Sequence, residues 1–320
     1  MIKNPLKILT YHHYTYKVVL KGTALFIYNG NYNEKYGNKV IIMNTDIKLV
    51  ALDLDRTTLN SESHLSEVNR QALIDAISNG VHVCIASGRA FDTLPEDIIS
   101  VPGIEYAITS NGAAIYRITG KECLKSYLLT PSSVKTILNL TANDTVTYEA
   151  FIKGQAFAST EYIRHPEKYG ATEHSLAYVK KTRLLKDDIK GFILEHCHEL
   201  DSLDIVVVDE ELKKDIMDRI RKATDEVYMT SSISQLLEIS YKDAGKKSGV
   251  KFLTEYLGLS RENVAAFGDA DNDTDMIEYA GTGIAMENAA PHLKEIADHI
   301  TLHHDKDGVA YAFRNILNIC

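Results

Sequence analysis

The chain has 320 residues, 45% hydrophobic and 25% charged. This is the composition of a globular protein long enough for two domains of roughly 100–200 residues each. A formal net charge of −9 and the lack of any Lys/Arg block argue against nucleic acid as a partner and against an anionic membrane surface. The four cysteines, Cys84, Cys123, Cys197 and Cys320, form no Cys-x-x-Cys pair, so neither a disulfide framework nor a zinc site is expected and a cytoplasmic setting fits best. No apolar run is long enough for a membrane span, and the apolar stretch of residues 16–28, broken by Lys17 and Lys21, lacks a signal-peptide cleavage site.

Residues 1–45 carry six Lys, one Glu and six Tyr with Asn-Gly and Tyr-Gly turn dipeptides. They read as an N-terminal extension, poorly ordered. From Ile47 a βα rhythm begins. The run from Ile47 to Leu52 ends at Asp53, and Leu65, Val68, Leu73 and Ile77 follow at helical spacing until Gly80. Residues 81–86 end at Ser87-Gly88-Arg89, and residues 106–108 end at Thr109-Ser110-Asn111-Gly112. Between about residues 127 and 229 the pattern turns mixed, with helix-like stretches at 132–140 and 187–199 and a strand-like run at 203–208. The strand pattern resumes at residues 236–239, and residues 264–267 end at Gly268-Asp269.

Near-continuous apolar strands alternating with amphipathic helices predict an α/β fold with a doubly wound, Rossmann-like parallel-sheet core. That core is discontinuous, 46–126 and 230–320, and an α+β cap of residues 127–229 is inserted in it. Ligands of such sheets bind outside the carboxyl ends of the strands. Asp53, Asp55, Ser87, Asn111 and Asp269 all fall there, so residues more than 200 positions apart are expected to converge.

Asp53 and Asp55 leave one strand end together. One carboxylate can attack phosphorus and ligate a cation while its neighbour donates a proton to the leaving oxygen; in isolation such a pair also reads as solvated or N-capping acids at a turn. The segment 269–275 packs four Asp into seven positions. That self-repulsion calls for a hard cation, and magnesium, held by one or two carboxylates plus substrate phosphate, fits. An EF-hand does not, because its Gly and terminal Glu are missing at the required spacing. Acidic capping of the helix that starts near Asp273 is the plainer reading of the same residues. Lys246 would open a helix of about residues 244–257, where a cation is unfavourable unless an anion sits beside it; Lys242 and Lys247 compete for that role. Ser87-Gly88-Arg89 and Asn111-Gly112 also read, in isolation, as plain turns. The His12-His13 and His303-His304 pairs, and His196 with His198, suggest no metal site.

Taken in order, these segments resemble the haloacid dehalogenase superfamily of phosphatases, and more closely its Cof-type branch with a large α/β cap, over residues 46–315. The motifs are Asp-x-Asp-x-Thr from Asp53, Ser-Gly-Arg from Ser87, Ser110-Asn111-Gly112-Ala113, a lysine at Lys246, Gly268-Asp269-x-x-Asn272-Asp273, Ala285-Met286-x-Asn288-Ala289 and Asp307-Gly308-Val309. The resemblance implies a magnesium-dependent phosphatase of small phosphorylated metabolites (sugar phosphates, nucleotides or phosphorylated cofactors). Asp53 would be the nucleophile that forms an aspartyl-phosphate, with Asp55 as acid/base. Asp53, the Asp55 carbonyl and Asp269 would hold Mg2+, and Asp273 would orient a metal-bound water or the lysine. Ser87, Gly88, Lys246 and Asn272 would hold the phosphoryl oxygens, with Thr57, Arg89 and Asn111 shaping the site or meeting the substrate.

This sequence departs from the pattern at Arg56, where the family usually has Gly, at Thr58, where Leu is usual, and in the loop Tyr241-Lys242-Asp243-Ala244 before the lysine. Arg56 either strains the backbone or only charges the mouth of the site. The alternatives are therefore a phosphomutase on the same scaffold and a weakened metal- and phosphate-binding protein. Glu149, Lys153, Tyr162, Arg164 and His165 are polar candidates in the cap.

Overall fold

The structure, a computed structural model, describes residues 7–11, 14–21, 24–29, 41–43, 46–170 and 173–320. Its strands in chain order begin with β1 (Lys7–Tyr11), β2 (Tyr14–Lys21), β3 (Ala24–Asn29) and β4 (Ile41–Met43), an antiparallel sheet in sequential order. These strands lie in the segment expected to be poorly ordered. Their sequences YTYKVVLK and ALFIYN are rich in β-branched and aromatic residues and are separated by two residues, which is hairpin spacing.

Core strands β5 (Leu49–Leu52), β6 (His82–Ala86), β7 (Tyr106–Thr109), β8 (Ala114–Arg117) and β9 (Glu122–Ser126) come next. The inserted segment contributes β10 (Thr147–Ile152), β11 (Gln155–Ser159), β12 (Leu184–Lys186), β13 (Leu200–Val206), β14 (Val227–Thr230) and β15 (Leu236–Tyr241). The core then resumes with β16 (Val264–Gly268), β17 (Thr282–Ala285) and β18 (His299–Ile300).

The core sheet runs β18-β17-β16-β5-β6-β7-β8-β9, parallel as far as β7, with β8 and β9 added antiparallel at one edge. Leu49, Val50, Ala51 and Leu52 are completely buried, as a central strand covered on both faces requires. Phe267 and Phe313, also fully buried, meet at 5.7 Å between ring centroids. Each such side chain is worth about 1.5–3 kcal/mol of burial. The central register pairs Leu52 with Phe267. Asp53 and the Gly268-Asp269 turn therefore leave the sheet side by side, although they are far apart in sequence.

The cap sheet runs β12-β11-β10-β13-β15-β14, with its own core built around Tyr148, Leu203, Ile205 and Ile216. Residues 236–239, expected from sequence in the core, lie instead in the cap sheet, where β15 pairs antiparallel with β13. An apolar run such as Leu236-Leu237-Glu238-Ile239 reads alike in either sheet, and only the long-range partner decides. The chain re-enters the core at Gly245, whose N–H donates to Asn111 O at 3.0 Å. Among the described residues no helix is long and apolar enough to cross a membrane.

That return crossing fixes Gly112. Its φ is +89°, and a Cβ there would lie 1.9 Å from Gly245 O. Gly112→Ala is expected to lower stability by about 2–3 kcal/mol, read as a lower denaturant midpoint.

Candidate active site

Asp53 follows β5 directly, its N–H donating to Phe267 O at 3.1 Å. The chain then makes one wide turn, closed by Leu59 N–H onto Leu54 O at 2.9 Å, while Thr58 Oγ1 donates to Asp53 O at 2.6 Å. Within this turn Arg56 has φ +59° and ψ +15°, a left-handed conformation that an L-residue adopts at a cost of about 1–2 kcal/mol. The position does require positive φ, which decides between the two readings of Arg56 in favour of strain. Arg56 also places Nε 3.7 Å from Asp269 Oδ2.

Lys246 is the first residue of a helix, Lys246–Tyr256, capped by Gly245 at φ +122°. The side chain is fully buried, whereas Lys242 and Lys247 are exposed. Lys246 Nζ donates to Asp53 Oδ1 at 2.7 Å and to Asp273 Oδ1 at 2.6 Å. Asp273 Oδ2 accepts the N–H groups of Asp269 and Ala270, at 2.9 and 3.0 Å, so this carboxylate ties the lysine to the 269–273 loop. Thr57 Oγ1 donates to Asp269 Oδ1 at 3.3 Å, and Asn288 Nδ2 spans Arg56 O at 2.8 Å and Asp269 Oδ2 at 3.4 Å.

Ligand oxygens of Asp53, Asp269 and Asp273 all lie within 4.8 Å of one another. One buried ammonium and the exposed Arg56 guanidinium beside Asp269 face three buried carboxylates, which leaves the group short of one positive charge. Burial, and then Asp273, holds the Asp53 carboxyl well above the usual range against the pull of Lys246. Burial and Asp273 likewise push Asp269 up to about 7. Burial alone would lower the Lys246 ammonium, but Asp273 and Asp53 outweigh it and hold it above its ordinary value.

Asp55 stands outside this cluster, half-exposed. Arg89 grips it with a two-pronged fork, Nε to Oδ2 at 2.9 Å and one terminal nitrogen to Oδ1 at 2.6 Å. The same guanidinium donates to Thr93 O at 3.3 Å and stacks 4.8 Å from the Tyr178 ring, on whose ring Arg183 also rests at 5.0 Å. Tyr178 and Arg183 belong to the cap region, so the setting of Asp55 is shared between core and cap.

Ser87 is buried, and its Oγ accepts the Arg89 N–H at 3.2 Å. Asn272 Nδ2 donates to Asn111 Oδ1 at 3.0 Å, and Asn111 Nδ2 donates to Glu238 Oε1 at 2.9 Å. A Cβ at Gly88 would lie 2.9 Å from that same Glu238 oxygen. The cap strand β15 thus reaches the Ser87-Gly88 turn through Glu238. Glu238, Asn288, Tyr178 and Arg183 were not singled out as site residues from sequence. Of these, Asn288 belongs to the Ala285-Met286-x-Asn288-Ala289 motif, and Glu238 carries a signal as the one acid in an apolar strand.

Among the cap candidates, Glu149 is buried against Arg183, with the guanidinium 2.7 Å from Oε2. Lys153 and His165 pair with Glu199 and Glu167 at 2.8 and 3.4 Å. His303, His304 and Asp305 also bring ligand-type atoms within 4.8 Å. There, however, His304 Nδ1 is 3.0 Å from Leu59 O, and Asp305 accepts Ser61 N–H and Oγ–H.

Comparison with known proteins places the chain in a family. The sequence model of the haloacid dehalogenase-like hydrolases matches residues 50–313. The 5-amino-6-(5-phospho-D-ribitylamino)uracil phosphatase YcsE of Bacillus subtilis (strain 168) is 31% identical over 270 residues, 84% of this chain and 96% of its own. Phosphatase YwpJ of the same organism is 30% identical over 292 residues, 85% of this chain and 100% of its own. A solved haloacid dehalogenase-like hydrolase from B. subtilis superposes with a TM-score of 0.73 at 27% identity, over 85% of this chain and 100% of that one. A family match over most of the chain, joined to carboxylates and a lysine gathered at the strand ends, makes this protein a phosphatase of the haloacid dehalogenase-like hydrolase family.

Proposed function

We propose that the chain is a magnesium-dependent phosphatase that hydrolyses phosphomonoesters of small metabolites through an aspartyl-phosphate on Asp53. The observation that carries this is Lys246, fully buried and shared between Asp53 and Asp273, within a carboxylate set that Lys246 and the exposed Arg56 only partly neutralise. Those hard oxygen donors fit Mg2+. Asp53, Asp269 and the Asp55 carbonyl would hold the ion, since Asp273 is already committed to Lys246 and the loop amides. When bound, it would supply positive charge against the phosphoryl oxygens.

In this reading Asp53 attacks phosphorus in line with the leaving oxygen, and the aspartyl-phosphate so formed is hydrolysed by water. Lys246, Ser87, Asn272 and the Gly88 amide hold the phosphoryl oxygens, so catalysis is mainly positioning and charge neutralisation. Asp55 gives a proton to the leaving group and later takes one from water, its orientation set by Arg89. Relatives named as 5-amino-6-(5-phospho-D-ribitylamino)uracil phosphatases make that compound the first substrate to try, beside sugar phosphates and nucleotides.

The test is release of inorganic phosphate from this panel with magnesium and with a chelator. We expect chelation to reduce the rate by roughly 100-fold or more. Equal rates in both conditions would sink the metal-dependent reading.

A second reading, a weakened metal- and phosphate-binding protein, draws support from Arg56, which combines a strained φ with a guanidinium 3.7 Å from Asp269. Arg56→Gly is expected to raise stability by about 1 kcal/mol and to lower the magnesium concentration for half-maximal rate several-fold, roughly what one removed neighbouring charge supplies. Phosphate release seen only in Arg56→Gly would favour the second reading.

A further inference from the structure

Asn111 is where the strand-end loops meet the cap. Its backbone, at φ +51°, donates its N–H to Ser87 O at 3.1 Å and accepts the Gly245 N–H at 3.0 Å. Its side chain spans the two halves of the molecule: Nδ2 donates to Glu238 Oε1 on cap strand β15, and Oδ1 accepts from Asn272 Nδ2. Glu238 is only 3% exposed, and its other oxygen accepts the Ser232 N–H at 2.6 Å. A Cβ at Gly88 would lie 3.3 Å from both Nδ2 and Oδ1 of Asn111, so this amide packs directly on the Ser87-Gly88 turn.

These contacts form a chain whose direction is set at its cap end. An ionised carboxylate only accepts hydrogen bonds, whereas a side-chain amide has a donor and an acceptor end and can be turned either way. With Glu238 accepting, Asn111 points its nitrogen at the cap and its oxygen at Asn272, and Asn272 answers with its nitrogen. The neighbour of Glu238 across the sheet, Asp204, is the acid of this buried pair that keeps a proton. Ser202 Oγ lies 2.8 Å from Asp204 Oδ1 and 3.1 Å from Ile239 O, and its single hydrogen serves the carbonyl when a protonated Asp204 donates to it. Burial, then Glu238 and Glu149, raises the Asp204 carboxyl well above its ordinary value; burial also raises Glu238, but the Asn111 and Ser232 donors draw it back.

We propose that Glu238 is a positioning residue for phosphate binding: through Asn111 it fixes which way round the Asn272 amide stands, so that an N–H of Asn272 faces the phosphoryl group. This rests on the reading in which Asn272 holds a phosphoryl oxygen. The Asn272 nitrogen carries two hydrogens, one given to Asn111 and the other left for that oxygen. Turned round, Asn272 would set its own carbonyl oxygen against the phosphate. Because Glu238 lies on β15, the donor set of the core is complete only with this cap strand in place.

The test exchanges the two members of the pair and reads two quantities at about pH 8. One is inorganic phosphate titrated calorimetrically into the full chain with magnesium, the other kcat/KM for phosphate release from the best substrate of the panel. Glu238→Gln keeps the shape and removes a negative charge, which on charge alone would tighten phosphate binding. The relay predicts the opposite sign, because the oxygen of one amide cannot serve both Asn111 and Ser232. Phosphate binding is expected to weaken about tenfold, and kcat/KM to fall about 10–100-fold. Asn111→Asp, which suits φ +51° but sets a second carboxylate against Glu238, should lose at least as much. In the double variant the amide and the carboxylate have changed places. The new amide accepts from Ser232 and donates to the new carboxylate, which accepts from Asn272, so phosphate should bind at least about fivefold more tightly than to either single variant. In an Asn272→Ala background Glu238→Gln should change nothing further, which decides the matter if melting curves show that the exchanged pair does not fold. Tighter phosphate binding by Glu238→Gln, simple addition of the two losses in the double variant, or an undiminished Glu238→Gln effect in Asn272→Ala would overturn the proposal. Wild type that binds phosphate without turnover would sink the phosphatase reading alone and leave the binding results to decide the relay; wild type that binds no phosphate would sink both.

Discussion

Asp53→Asn is expected to abolish phosphate release, by on the order of 10⁴-fold or more, while raising the melting temperature of the metal-free protein. The first effect follows from the proposed nucleophile, since an amide oxygen cannot form the phosphorylated intermediate and the remaining groups only position the substrate. The second follows from crowding. Burial and Asp273 hold the folded-state pKa of Asp53 above its ordinary 3.8. A carboxyl with a raised folded pKa binds its proton more tightly folded than unfolded, so stability is lost as pH rises from 3.8 toward the folded value. Asn removes that penalty and can still accept from Lys246. The gain should be about 1 kcal/mol at neutral pH in chelator and should vanish below about pH 4. Magnesium should shrink or reverse it, because an ion bound by the native carboxylates stabilises wild type by mass action. Calorimetry of both proteins, with chelator and with magnesium, checks this. A variant less stable than wild type in chelator would show that Lys246 fully balances the cluster.

What the sequence made legible follows from where strands end. Each apolar run of the core stops abruptly at a polar residue, and parallel strands deliver those stops to one edge. Asp53, Ser87, Asn111 and Asp269 could thus be placed together before any contact was known. Lys246 drew notice because a cation at a helix N-terminus is anomalous unless an anion such as phosphate sits beside it; in the structure Asp53 and Asp273 accept its hydrogen bonds.

Sequence failed where the deciding contact is long-range. Leu236-Leu237-Glu238-Ile239 suits either sheet, and its pairing with β13 is what carries Glu238 to Asn111 and beside Gly88. The Arg89–Tyr178–Arg183 stack joins residues about 90 positions apart with no periodic signature. Arg56 lies between these cases. Its substitution for Gly posed the question, and only the backbone angle of +59° answers it.

Lys246→Met tests the same cluster from the opposite side. Met nearly conserves the volume and the apolar stem, so the loss is confined to the ammonium and its two hydrogen bonds. Removing one partner of a buried ionic group strands the others. With Asp53 and Asp273 both buried, the expected cost is about 3–5 kcal/mol, reduced by a few tenths because Met also relieves the unfavourable cation at the helix N-terminus. In a chain of this size that lowers the melting temperature by roughly 10 °C. Lys246 has its folded pKa raised above 10.5, so its contribution is fully present below 10.5 and is lost only as pH rises through the folded value. The gap between wild type and variant should therefore persist across neutral and mildly alkaline pH. Magnesium should narrow it, since the ion offers the positive charge the variant lacks, yet the rate should stay down by about 10²–10³-fold because Ser87, Asn272 and the Gly88 amide are neutral donors that do not replace the ammonium's charge at the phosphoryl oxygens. Melting curves and phosphate release, each with and without magnesium, separate these effects. Full recovery of rate by magnesium would reduce Lys246 to a balancing charge, whereas recovery of stability alone would leave it as the group that meets the phosphate.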